Sequence, residues 1–534
     1  MVIIKKGSWI IFLLTLFAGT TAGRAEAPAF WINPALPEKI RQTLPDGLPL
    51  AEELRKADCV IDMVNTVDTG DRVASAANMT PAGADSGRTQ WVYALVAPFP
   101  TATDAISSET LQALWNGTPT ETVATLTLGR ETRRVFADRW GKQDPNTVKP
   151  RLKKDLLSAT WEESKTWAIV PFDELDPRWK VIRVDGVSPL DFDFDPAAYP
   201  LTVTWQVRPL KRNSDCGLSL PSGNFDPEKL TTLTLTGTTA MVRNLAFKIE
   251  EKGLDYPLKN IGETLSRSDI THISNEAPFT PDCPPAVPLR REARFCSDPS
   301  YLEILHQAGA DVVEMTGNHL LDWGQEPFIY TLDLYQEDGL TVYGGGLDAA
   351  AGQEPVFFEH HGNRIALLGC NAIGPEQILA TAKRPGPAPC DQDQLHERIL
   401  TLTNEGWQVV VTFQHLEYPY YDVPPAQSHD FYKAAEAGAV IVSGSQAHIP
   451  QGMTFIGDSF IHFGLGNLLF DQMSDLERDS FFDRHYFYDG RYINTVLETI
   501  RLEDYSQPRF LTRKKRADFL NLMFDTCTWQ RAFE

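Results

Sequence analysis

The sequence predicts an α/β fold in two domains, and three observations carry that reading. First, the second half repeats one joint, in which a helical stretch ends in Gly and an apolar strand follows at once. Gly309, Gly339, Gly406 and Gly438 precede the runs Ala310-Asp311-Val312-Val313, Leu340-Thr341-Val342-Tyr343, Trp407-Gln408-Val409-Val410-Val411 and Ala439-Val440-Ile441-Val442. Gly past a helix end supplies the left-handed residue that closes it, and helix, Gly, strand in series marks a layered α/β domain. Second, residues able to do chemistry stand directly after such strands. Third, all eleven His lie at or beyond His272, so metal or acid–base chemistry belongs to the second half.

The 534 residues exceed one ordinary core, and 42% hydrophobic content with 10% aromatics is globular. A net charge of -22 argues against nucleic acid as a partner. Lys5-Lys6, the apolar run Trp9 to Ala18 and the small residues up to Ala27 read as a secretory signal over 1–27. That places the mature chain outside the cytoplasm: secreted, periplasmic or membrane-associated. Export makes the seven Cys interpretable as disulfide partners. Cys283 with Cys296 and Cys370 with Cys390 each bracket a Pro-rich loop and form the preferred pairs. Cys59, Cys216 and Cys527 remain, with at least one unpaired inside the chain.

From Pro28 to about Arg208, short apolar strands such as Trp91–Ala97 and Trp167–Val170 alternate with helical stretches, giving a first domain over 28–208. The polar, turn-rich stretch 209–229 reads as a linker. A second domain spans 230–500, with a C-terminal extension over 501–534. Within the second domain five strand ends carry polar residues in order. Leu233–Thr236 leads through Gly237 to Thr238, and Asp269–Ile273 to Glu276. Val312-Val313-Glu314 leads to Gly317-Asn318-His319, the glycine giving the turn its freedom. Val409–Phe413 leads to His415 and Glu417, which on a strand would point the same way. Ile441-Val442 leads to Ser445-Gln446-Ala447-His448. Carboxyl edges of strands are where α/β folds build their sites, and five in order are more specific than any one.

Two of these segments and a third beyond them resemble the CapA-type capsule, or poly-γ-glutamate, synthesis family, a relative of calcineurin-like metallophosphoesterases. They are Gly317-Asn318-His319-Leu320-Leu321-Asp322-Trp323-Gly324, Gly444-Ser445-Gln446-Ala447-His448-Ile449-Pro450-Gln451 and Ile461 to Phe470 with its Gly464-Leu465-Gly466-Asn467 turn. The resemblance implies a metallophosphoesterase-type α/β sandwich over 230–500. It carries the metal positions onto Thr238, Glu276, Asn318, His319, His415, Gln446 and His448, with His319 and Asn318 as the catalytic pair. Thr238 stands where the family has Asp, and Ser445 or Gln446 where it has a second His. The remaining set, Glu276, Asn318, His319, His415 and His448, is expected to hold one divalent ion (Mn, Zn or Mg), or none, instead of two.

The implied function is an exported cell-envelope protein acting in synthesis or attachment of a capsule or poly-γ-glutamate-like polymer, as a metal-assisted hydrolase or transferase. Its implied partners are an anionic envelope polymer or its precursor and other polymer-synthesis proteins. The alternative is a non-catalytic polymer- or solute-binding scaffold with a degenerate metal site. The first domain resembles type 2 periplasmic solute-binding proteins, through Ile106 to Gly117, Ala168 to Phe172, Val184 to Pro189 and Tyr199-Pro200-Leu201.

Overall fold

The computed structural model describes residues 27–64, 87–212, 214–287 and 293–534. The expected signal segment lies outside them, apart from its last residue. Among the described residues no helix is long and apolar enough to cross a membrane.

Two runs of strands build the second half. One sheet orders Thr341–Tyr343, Val312–Glu314, Ile270–Asn275 and Leu230–Thr236, then the antiparallel strands Asp479–Tyr488, Arg491–Glu503 and Gln507–Phe510. The other orders Val356–His360, Asn363–Asn371, Gln408–Gln414, Ala439–Ser443, Ser459–Gly464 and Gln451–Ile456. Strand periodicity explains how they stack. Leu233, Ile270, Val312, Ile365, Leu367, Val410 and Ile441 share one core between the sheets. Their neighbours in sequence turn outward: Ile273 and Val313 join a core with Leu245, Ile304 and Phe328 of the helices on one side. Ala366, Val409, Val411 and Val442 join Ile399 and Phe431 of the helices on the other. These near-continuous apolar runs belong to strands covered on both faces. The result is helix, sheet, sheet, helix, the α/β sandwich expected from the sequence.

The first half forms its own mixed sheet, ordered Phe30–Ile32, Cys59–Met63, Thr202–Pro209, Arg88–Pro98, Thr166–Pro171, Thr125–Gly129 and Val148–Arg151. Trp179–Val184 also pairs with Arg88–Pro98. Its core takes in Tyr486, Tyr488 and Ile493 from the second half. Conversely, Phe99 inserts among Phe455, Phe460, Phe524 and Trp529, with ring centroids 5.1 to 6.4 Å away. Position 500 falls inside the strand Arg491–Glu503, and the helix Arg513–Asp525 packs Phe519, Leu520 and Met523 into the inter-sheet core. The end of the chain is thus part of the fold and no appendage.

Three disulfides are present: Cys283–Cys296 and Cys370–Cys390, as read from the sequence, and Cys59–Cys216. Cys527 is the free thiol among the seven. The 59–216 bridge escaped sequence reasoning because its partners are 157 residues apart and flank no common loop.

Candidate metal centre

Parallel strands end together, and their carboxyl edges bring most of the singled-out residues to one place. Glu276 follows the strand Ile270–Asn275 and is fully buried. Its amide donates to Thr239 O at 2.9 Å, which fixes the turn. Asn318 and His319 come after Val312–Glu314. Gly317 matters there through closeness: a Cβ would lie 2.8 Å from Glu276 Cα, so only glycine lets the two turns meet. The freedom of turning expected of it from the sequence is secondary, since its φ is not positive. Gly444 plays the same part on the other sheet, where a Cβ would lie 1.9 Å from Phe463 O.

At the centre, His448 Nε2 stands 3.7 Å from Glu276 Oε1 and 3.8 Å from Glu417 Oε2. One ligand atom from each of Glu276, Glu417 and His448 lies within 4.8 Å of the other two. Asn318 Nδ2 donates to Glu417 Oε1 at 3.0 Å, holding that carboxylate in place. The ring of His448 is held from its far side. Asn467 Nδ2 donates to Gln472 Oε1 at 3.2 Å, so Asn467 turns Oδ1 toward His448 Nδ1, 2.9 Å away. That bond leaves Nε2 as the ring atom that faces the two carboxylates.

Both carboxylate oxygens of Glu276 are buried without a hydrogen-bond partner, as is Asn318 Oδ1. Burial pushes the Glu276 carboxyl above the usual carboxylate range, and Glu417 adds to the rise, against the pull of His448 and His319. Orphaned buried oxygens are rare in folded proteins. Two carboxylates, an imidazole nitrogen and an amide oxygen are the donor set of a divalent cation, and the residues fit one.

His319 sits beside this group in a separate role. Its Nδ1 bonds Asp322 Oδ2 at 2.7 Å, and its ring packs 4.2 Å from that of Phe295. Phe295 N donates to the same Asp322 oxygen at 2.8 Å, so the acceptor is itself fixed. Burial lowers the His319 pKa, but the Asp322 bond and the charge of Glu276 outweigh it, leaving the ring more basic than usual.

Two of the expected ligands, His319 and His415, thus stand outside the group of Glu276, Glu417 and His448. His415 Nε2 bonds Asp430 Oδ2 at 3.1 Å, and its Nδ1 accepts from Leu416 N at 2.8 Å. Both nitrogens are engaged and the ring faces the helix Pro425–Glu436, so His415 lies outside the cluster and Glu417 takes the place. The strand ends at Gln414, and beyond it the same-side rule for residues two apart no longer holds. Thr238 and Gln446 are buried on the wall. Thr238 Oγ1 donates to Ser445 O at 3.4 Å, and Gln446 Nε2 donates to Ser274 Oγ. Both side chains are thus neutral and bonded to protein. Asp322 and Asn467 lay within quoted motifs but were not singled out, because their part is to orient a histidine.

The site is thus carried by a sandwich of two sheets, with carboxylate, imidazole and amide groups gathered at their joint carboxyl edges. Residues 232–472 match the family of the bacterial capsule synthesis protein PGA_cap, and this segment is a CapA-type domain. Similar to it are the capsule biosynthesis protein CapA of Bacillus anthracis, 25% identical over 265 residues (49% of this chain, 64% of that protein), and the PGA biosynthesis protein CapA of Bacillus subtilis (strain 168), 22% identical over 249 residues (46% and 65%). The chain thus spans under two thirds of the length of either relative. Among solved structures, a 5'-nucleotidase precursor from Thermus thermophilus overlaps 55% of this chain and 58% of its own at 12% identity and TM-score 0.33. An ABC-type phosphate transport receptor from Vibrio cholerae overlaps 30% of this chain and 70% of its own at 14% identity and TM-score 0.22. Overlaps that low bear on neither fold nor function.

Proposed function

We propose that the protein acts outside the cytoplasm in the synthesis or attachment of a capsule or poly-γ-glutamate-like anionic polymer, through a single-ion site built by Glu276, Glu417 and His448 with Asn318. The observation that carries this reading is the buried Glu276 carboxylate, which has no hydrogen-bond partner and faces His448 and Glu417. The CapA-type segment supplies the polymer class, and three disulfides favour an oxidising compartment. The domain division proposed is that of the sequence, a solute-binding-like unit before 209 and the CapA-type unit after 230.

A divalent ion there would supply Lewis-acid polarisation of a phosphoryl or acyl oxygen. The chain's own groups do the rest. Glu276 and Glu417 supply the carboxylates, and Asn467 orients the His448 ring so that Nε2 faces them. His319, made more basic than usual by Asp322 and Glu276, would serve as the group that gives a proton to a leaving group. Phe295 covers the imidazole face and excludes water there.

A scaffold reading draws on Thr238 and Gln446, both neutral and bonded to protein. Two measurements on purified full-length protein separate the readings. Bound Mn²⁺ or Zn²⁺ near one ion per chain, with hydrolysis of bis(p-nitrophenyl) phosphate lost in His319→Ala, supports the catalytic reading. Binding without turnover supports the scaffold. No retained or titratable ion in the wild type, or equal binding in Glu276→Gln, defeats the metal site itself.

A further inference from the structure

A cavity of about 360 Å³ lies where the first sheet meets the second half and shares no lining residue with the Glu276 cluster. Lys180 and Arg183 on the strand Trp179–Val184, Arg267, Arg484 on Asp479–Tyr488 and Arg516 on Arg513–Asp525 line it against four carboxylates. The charges do not balance. Asp104 alone accepts from both Lys180 Nζ (2.7 Å) and Arg516 Nε (2.8 Å), so one carboxylate serves two cations. Arg183 is matched by Asp191 and Arg267 by Asp193.

Arg484 is matched less completely. It is 5% exposed, touches Glu498 through one nitrogen at 3.2 Å, lies over the Phe192 ring, and keeps a buried Nε–H with no acceptor. Asn494 is fully buried in the same wall. Its Nδ2 donates to Trp179 O at 2.7 Å, while its Oδ1 has no donor. Val181, Leu190 and Leu497 supply apolar wall between these groups. A buried guanidinium donor, a buried amide acceptor and one uncompensated positive charge around one void are the recognition elements of a ligand.

We propose that this cavity binds a compact organic anion that also bears a hydroxyl or amino donor, a sugar acid or amino acid in size. The carboxylate would meet Arg484 Nε and the Lys180–Arg516 pair, and the donor would meet Asn494 Oδ1. A volume at the low end of ligand sites admits a monomer and excludes a polymer strand. Its walls come from both halves of the chain, so occupancy would clamp them together and raise the unfolding temperature by mass action.

The test is calorimetric titration and thermal unfolding of the full chain with D-glucuronate, L-glutamate and inorganic phosphate as probes. Glucuronate or glutamate should bind at least about tenfold more tightly than phosphate and raise the unfolding temperature. Arg484→Lys, which keeps the charge and loses the fork, should weaken that binding by about tenfold or more. Arg267→Gln at the exposed mouth should weaken it by about twofold to threefold, and serves if the Arg484 variant fails to fold. The proposal is overturned if neither organic probe binds at millimolar concentration, if phosphate binds equally well, or if the folded variants bind as the wild type does.

Discussion

Glu276 and His448 reach each other from two different sheets, Oε1 to Nε2 at 3.7 Å. Neither strand alone builds the site; it exists only once the two sheets are packed. The hydrogen bond from His448 Nδ1 to Asn467 Oδ1 is what presents Nε2 to that junction.

Asn467→Leu should therefore weaken Mn²⁺ or Zn²⁺ binding by about 10- to 100-fold, although Asn467 is not a ligand. Titration calorimetry checks this, and an unchanged affinity would show that the ring is held otherwise.

Thr238→Asp adds a carboxylate at a fully buried wall position. Without metal the variant should unfold at lower temperature than the wild type, because an unpaired buried charge is costly. Added Mn²⁺ should reverse the order and bind more tightly than in the wild type. Equal metal affinity in both would rule out Thr238 as a vacated ligand position.

Phe99 is 2% exposed and its ring packs against four aromatic rings of the second half. Phe99→Ala should cost about 3–5 kcal/mol. Denaturant unfolding followed by fluorescence reads this; a loss below about 1 kcal/mol would mean that the contact is not a cohesive one.

His485 is buried between Phe460 and Tyr492, and burial pulls its pKa down to about 4. The folded chain refuses a proton that the unfolded chain takes up near pH 6.5. Stability is therefore full above that pH and falls as pH drops toward 4, by up to about 3 kcal/mol. His485→Gln should flatten this segment of the stability–pH curve. A wild-type curve and a variant curve that stay parallel from pH 7 to 4 would refute it.

The legible part of the fold was the part written in periodicity. The Gly-then-strand joints placed Val312–Glu314, Gln408–Gln414 and Ala439–Ser443, and Glu276, Asn318 and His448 each follow the end of a strand, in two facing sheets. What failed was direction beyond a strand's last residue. His415 and Glu417 differ by two positions, yet one bonds Asp430 and the other faces His448, since nothing repeats once the pleat ends. Long-range closures were also illegible: the cysteine pair of 157-residue separation and the insertion of Phe99 into a distant core leave no local pattern.

The Cys59–Cys216 bridge turns the first half into a covalent ring with the second half as its tail. A protease that nicks the backbone once anywhere inside that ring releases nothing: both pieces stay tethered until a reductant is added. A cut there is a scar and not a loss.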